Sequence, residues 1–148
     1  MSIYLYILFF KYFKNMMKKK IAILGSTGSI GDNLLKIINK NQNLFDVYLL
    51  SANTNFKKVL SQAIKFKVKN VIIHDLKTFK HSKNFFLKKK INIFNNVQEY
   101  KIKNKFIFDY TMVGIIGFFG LNPTLDIIEI TKKIAIANKE SIICGVGI

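Results

Sequence analysis

The stretch KKIAILGSTGSIG, residues 19–31, decides how the chain is read. Ile21 to Leu24 is a short apolar run of the kind that forms a strand buried on both faces, and it stops at Gly25. Ser29 then opens a segment with apolar residues at Ile30, Leu34, Leu35, Ile37 and Ile38, close to helical spacing. A glycine-rich turn between a strand and a helix lets backbone approach a pyrophosphate. The helix N-terminus adds free N–H groups and the positive end of its dipole. The spacing is G-x-x-G-x-x-G and not the commoner G-x-G-x-x-G. It therefore suggests dinucleotide binding, with a ligand-free turn as the alternative. The hydroxyls of Ser26, Thr27 and Ser29 are further candidate donors.

Outward from this segment, strand and helix patterns alternate. Val47 to Leu50 reads as a second strand, and Phe56 to Ile64 as a second helix. Val71 to Ile73 is a third strand, Leu76 to Leu87 a lysine-rich helix, and Ile91 to Phe94 a short strand. Lys101 to Lys105 reads as a polar loop and Ile107 to Ile116 as strand-like. Pro123 sits near the start of a helix running to about Thr131, where proline is tolerated. Ile134 to Ala137 is the last strand. This alternation predicts an α/β fold, a Rossmann-type doubly wound and mostly parallel sheet with right-handed crossovers.

The chain has 148 residues, about one domain, and half of it is hydrophobic. Its formal net charge is +16, from 24 basic and 8 acidic side chains. All the basic residues are lysine, and lysine, isoleucine, asparagine, phenylalanine and tyrosine make up more than half the chain. These residues share A/T-rich codons, so the charge reads as compositional drift. Nucleic-acid readers lean on arginine, which is absent, so a basic nucleic-acid-binding protein is only the second alternative. The lone Cys144 excludes an internal disulfide and fits a reducing, cytoplasmic setting. No stretch approaches the roughly 20 apolar residues of a membrane span. The apolar run Ile3–Phe10 lacks the positive region that opens a signal peptide. Residues 1–16 are expected to be an upstream extension or a misassigned start, with Met17 opening the domain of residues 17–148. A membrane-contacting stub is the alternative.

The second strand ends at Ser51-Ala52-Asn53-Thr54-Asn55, with no carboxylate for a ribose 2′-hydroxyl. That is permissive for a 2′-phosphate, with Lys57 or Lys58 as candidate cations or as ordinary helix residues. Gly114, Gly117 and Gly120 could bring backbone close to a cofactor or serve turn chemistry. Asn138-Lys139-Glu140-Ser141 forms an abrupt polar cluster after an apolar strand, either a site or a polar loop. His74 and His81 read as surface or structural, and the scattered acids form no metal site.

KKIAILGSTGSIG at 19–31, GLNPT at 120–124 and IAIANKES at 134–141 together resemble the 1-deoxy-D-xylulose 5-phosphate reductoisomerase family over residues 17 to about 145. The resemblance implies an enzyme of non-mevalonate isoprenoid biosynthesis. It rearranges 1-deoxy-D-xylulose 5-phosphate and reduces the product with NADPH to 2-C-methyl-D-erythritol 4-phosphate. By this resemblance Thr27, Gly28, Ser29 and Ile30 hold the cofactor phosphates, and Asn55 belongs to the adenosine-side loop. Asn138 and Glu140 face NADPH, and Lys139 contacts the substrate. Where the family often has Gly-Lys-Asn, this chain has Asn53-Thr54-Asn55, which puts Thr54 at the position expected to face the 2′-phosphate. The family's Mn²⁺ or Mg²⁺ ligands, its substrate-phosphate loop and the C-terminal helical domain of its homodimer would lie beyond Ile148. The expectation is a chain with no catalytic residue and no metal ligand of its own, a cofactor-binding portion that binds NADPH weakly or not at all and has no turnover. A non-catalytic dinucleotide-binding module or gene fragment is the first alternative.

Overall fold

A computed structural model describes residues 17–137. Six strands alternate with five α-helices: β1 (Lys19–Leu24), α1 (Ser29–Lys40), β2 (Phe45–Ala52), α2 (Phe56–Lys65), β3 (Asn70–Ile73) and α3 (Leu76–Leu87), then β4 (Asn92–Phe94), α4 (Val97–Lys103), β5 (Tyr110–Val113), α5 (Leu121–Ile128) and β6 (Ile134–Ile136). A 3₁₀ turn over Phe118–Gly120 leads into α5. The strand order is β4-β3-β2-β1-β5-β6, and every neighbouring pair is parallel. This is the doubly wound sheet that the alternation predicts.

β1 shows why such a strand reads as an unbroken apolar run. Ile21 and Ile23 point into one core layer with Leu35 and Ile38 of α1, Val59 and Ala63 of α2, and Phe86 of α3. Ala22 and Leu24 point into the other, with Leu49, Ile72, Tyr100 of α4 and Ile127 of α5. The two-residue period of a strand divides adjacent side chains between opposite faces, so both must be apolar when helices cover both. From β1 the chain steps outward through β2, β3 and β4, then returns to β5 on the other side of β1. The chain thus leaves the paired carboxyl ends of β1 and β5 in opposite directions at this switch point, where open sheets of this kind form a crevice.

Three local expectations need correction. The predicted polar loop at Lys101–Lys105 is in large part helix, because α4 runs to Lys103. Asn96 caps it by accepting the Glu99 N–H at 2.8 Å, while the Glu99 carboxylate reaches back to the Asn95 N–H at 2.8 Å. That reciprocal arrangement outweighs the polar composition. The strand-like stretch Ile107–Ile116 is a strand only over Tyr110–Val113, preceded by a lone bridge at Phe108, and it ends where Gly114 packs against the turn at Gly25. The last helix stops at Ile128, short of Thr131, whose hydroxyl instead bonds the Ile127 carbonyl at 2.8 Å.

Candidate functional site

The turn after β1 is built by close backbone packing. Gly25 has φ +77°, and a Cβ there would come within 2.9 Å of the Gly114 carbonyl carbon. Only glycine adopts that conformation freely and allows the approach. A Cβ on Gly31, one turn into α1, would lie 2.5 Å from Ser26 Cα and 2.7 Å from the Gly25 carbonyl. Gly25 and Gly31 therefore press the turn against β5 and the helix against the turn. Gly28 is exposed and precedes the helix with no side-chain cap. By contrast, Asn55, Asp75 and Asn96 cap α2, α3 and α4 with their side chains. The first-turn N–H groups of α1 have no intrahelical acceptor, and Gly28 just before them carries no side chain to take them up.

Buried polar groups fix this turn from beneath. Ser26 is fully buried, its N–H donates to the Ser51 carbonyl at 2.8 Å, and its hydroxyl donates to Gln62 Oε1 at 2.8 Å. Gln62 Nε2 donates in return to the Ser26 carbonyl at 3.0 Å and to Asp32 at 3.3 Å. The Ser26 hydroxyl is thus spent inside the protein, which corrects its reading as a phosphate donor. Lys58 Nζ donates to the Thr27 carbonyl at 3.1 Å and stands 3.4 Å from Asp32. Desolvation pushes the Asp32 carboxyl up, but Lys58 and Lys36 outweigh it and hold the group below the usual carboxylate range. Lys58 therefore braces the loop, leaving the exposed Lys57 as the other lysine of the pair.

Above the turn lies a cleft of about 590 Å³ lined by Gly25, Thr27, Gly28, Gly114 and the carboxyl ends of three strands. Its β2–β3 end is polar, with Asn53, His74 and Asp75, and its β5 end is apolar, with Ile115, Ile116 and Phe119. His74, which the sequence reads as surface or structural, lines this cleft, and its Nε2 is 3.1 Å from Ser51 Oγ. Burial pushes its pKa down to about 4, so it is neutral at pH 7.

Of the residues singled out in the sequence, Thr27 and Gly28 line the cleft. Ser29 and Ile30 open α1 beside it and are exposed. Asn55 stands apart from the lining: its side chain accepts the Lys58 N–H at 3.2 Å and caps α2, while Asn53 is the asparagine that reaches the cleft. Thr54 is exposed between them. Asn138, Lys139 and Glu140 lie outside the described residues, as do residues 1–16. His74, Asp75, Ile116 and Phe119 have no motif. The signal that could have found them is their place just after the carboxyl ends of β3 and β5. Among the described residues, no three His, Cys, Asp or Glu side chains stand close enough to hold a metal ion, and no helix is long and apolar enough to cross a membrane.

A family model for 1-deoxy-D-xylulose 5-phosphate reductoisomerase matches residues 21–146. The chain belongs to this reductoisomerase family. It is 52% identical over 131 residues to the 1-deoxy-D-xylulose 5-phosphate reductoisomerase of Pelagibacter ubique, covering 86% of this chain and 33% of that protein. The Wolbachia pipientis wMel enzyme of the same name is 37% identical over 131 residues, covering 86% of this chain and 32% of its own length. Among solved structures, the reductoisomerase of Zymomonas mobilis in complex with NADPH superposes with a TM-score of 0.78 at 30% identity, over 88% of this chain and 35% of that one. A reductoisomerase structure with NADPH, fosmidomycin and magnesium gives a TM-score of 0.74 at 26% identity, over 84% of this chain and 31% of that one. The chain spans about a third of the length of the curated relatives it matches.

Proposed function

We propose that the cleft at the β1–β5 switch point binds NADPH, and that residues 17–148 form the cofactor-binding portion of a 1-deoxy-D-xylulose 5-phosphate reductoisomerase. The observation that carries this reading is the bare N-terminus of α1. It has no side-chain cap, it faces the cleft, and it is held there by two glycines that exclude a Cβ. Such a terminus suits a pyrophosphate. Thr27, Gly28, Ser29 and Ile30 supply the backbone around the phosphates. Asn53 and Asn55, on the loop after β2, sit on the adenosine side, with Asn55 acting through its cap on α2.

By resemblance, Asn138 and Glu140 face NADPH and Lys139 contacts the substrate. NADPH supplies a hydride. The chain's own residues bind and orient it, and the lysine-rich surface attracts both anionic ligands. The full reaction consumes 1-deoxy-D-xylulose 5-phosphate, NADPH and a proton and yields 2-C-methyl-D-erythritol 4-phosphate and NADP⁺, with Mn²⁺ or Mg²⁺ held by the full-length enzyme. The same reading carries a cytoplasmic homodimer with no nucleic-acid partner.

Fluorescence titration with NADPH tests it, with NADH alongside to read the effect of Thr54. Saturable but weak binding of NADPH is expected, with no oxidation when 1-deoxy-D-xylulose 5-phosphate and Mg²⁺ are added to the 148-residue polypeptide. No saturable signal up to millimolar NADPH would overturn the reading of the cleft. Substrate-dependent oxidation would overturn the reading of the chain as a binding portion alone.

A further inference from the structure

Beneath the cleft, His74, Ser51 and Gly25 form a chain of hydrogen bonds. The Gly25 N–H donates to Ser51 Oγ at 3.0 Å, and Ser51 Oγ lies 3.1 Å from His74 Nε2. Ser51 is fully buried, and among the described residues these are the only two partners of its hydroxyl. A hydroxyl has one hydrogen to give. Gly25 can only donate, so it takes an oxygen lone pair. If His74 Nε2 also carried a proton, Ser51 would accept twice and its own hydrogen would be buried without an acceptor. The Gly25 N–H, the Ser51 hydroxyl and Nε2 are all paired when Nε2 is bare and Ser51 donates to it, which leaves the imidazole proton on Nδ1. That polarity directs a Ser51 lone pair at Gly25, the residue whose left-handed backbone brings the turn against Gly114.

We propose that His74 is a positioning residue of the cofactor cleft. As the neutral Nδ1–H tautomer it accepts a hydrogen bond from the Ser51 hydroxyl at Nε2, so that Ser51 Oγ holds the Gly25 N–H and sets the glycine turn for a pyrophosphate. The imidazole acts through Ser51, two hydrogen bonds from the turn. Its consequence for binding rests on the reading of the cleft as a dinucleotide site.

Three measurements on the 148-residue chain test this. Long-range ¹H–¹⁵N correlation of the wild type at pH 7 should show His74 protonated at Nδ1 and bare at Nε2; a proton on Nε2 overturns the proposal without any variant. Amide exchange of Gly25 should quicken in His74→Leu by about fivefold, the equivalent of one net hydrogen bond. His74→Gln, which keeps an acceptor near the Nε2 position, should restore the wild-type rate. Equal Gly25 exchange in all three proteins overturns the relay. NADPH affinity should follow the same order, and Ser51→Ala should abolish the difference between the two His74 variants. If the wild type itself fails to bind NADPH, the cofactor reading fails. The tautomer and the exchange rates still decide whether His74 sets the turn.

Discussion

Gly31 and Ser26 are packed so tightly that a Cβ on the glycine would sit 2.5 Å from the serine Cα. The obstacle is backbone on both sides, so no side chain can swing away. Gly31→Ala should cost about 1–3 kcal/mol by overpacking and should abolish NADPH binding, because α1 must tilt off the turn. Urea denaturation and fluorescence titration of the same protein check both effects.

Gln62 exchanges hydrogen bonds with both ends of Ser26 and also reaches Asp32. Gln62→Leu keeps the volume, leaves the Ser26 carbonyl short of a partner and leaves the Ser26 hydroxyl only the Ser51 carbonyl at 3.2 Å. A loss of about 1–3 kcal/mol is expected, the range for a buried polar group left unsatisfied. The double variant Gln62→Leu with Ser26→Ala should recover part of it. Chemical denaturation of the three proteins reads the coupling.

Lys58 is partly exposed, so its ion pair with Asp32 should contribute less than about 1 kcal/mol to stability. Its bond to the Thr27 carbonyl matters more for the loop that lines the cleft. Lys58→Met should leave the urea midpoint nearly unmoved and weaken NADPH several-fold. An equal NADPH affinity would show that the brace has no part in binding.

Burial holds His74 at about 4, against an ordinary 6.5. Below pH 6.5 the unfolded chain takes up this proton while the folded chain does not, so acidification favours unfolding. The folded state has its full stability above the unfolded pKa and loses it as pH falls toward 4, by about 3 kcal/mol at most. Asp109, held low first by the Lys20 N–H and then by the Lys132 ammonium, contributes only in more acid solution. Urea midpoints should therefore fall between pH 7 and pH 4.5, and His74→Gln should flatten that interval. A flat wild-type profile would contradict the burial of His74.

Phe119 is 87% exposed although it lines the cleft. Phe119→Ser should change stability by no more than about 0.5 kcal/mol, the usual range for a surface position. A weaker NADPH titration is expected, together with less aggregation, since Ile116, Phe118 and Phe119 together expose a large apolar surface. Light scattering and the titration separate the two.

The order of elements was legible in the chain because each strand and helix carries its own period. Ile21 to Leu24 had to be a strand covered on both faces, and the turn at Gly25, Gly28 and Gly31 had to join it to a helix. α4 was missed because seven residues give too short a period, although Asn96 and Glu99 stand at the spacing of a cap. At the site, local sequence identified the glycine turn, whose chemistry is that of contiguous backbone. It could not show that the Ser26 hydroxyl turns inward to Gln62, that Asn53 and not Asn55 reaches the cleft, or that His74 meets Ser51. Those pairs are 23 to 36 residues apart and come from different strands and helices. The parallel pairing of β1 with β2 and of β2 with β3 brings them within hydrogen-bonding distance, and the return of the chain to β5 beside β1 opens the crevice above them.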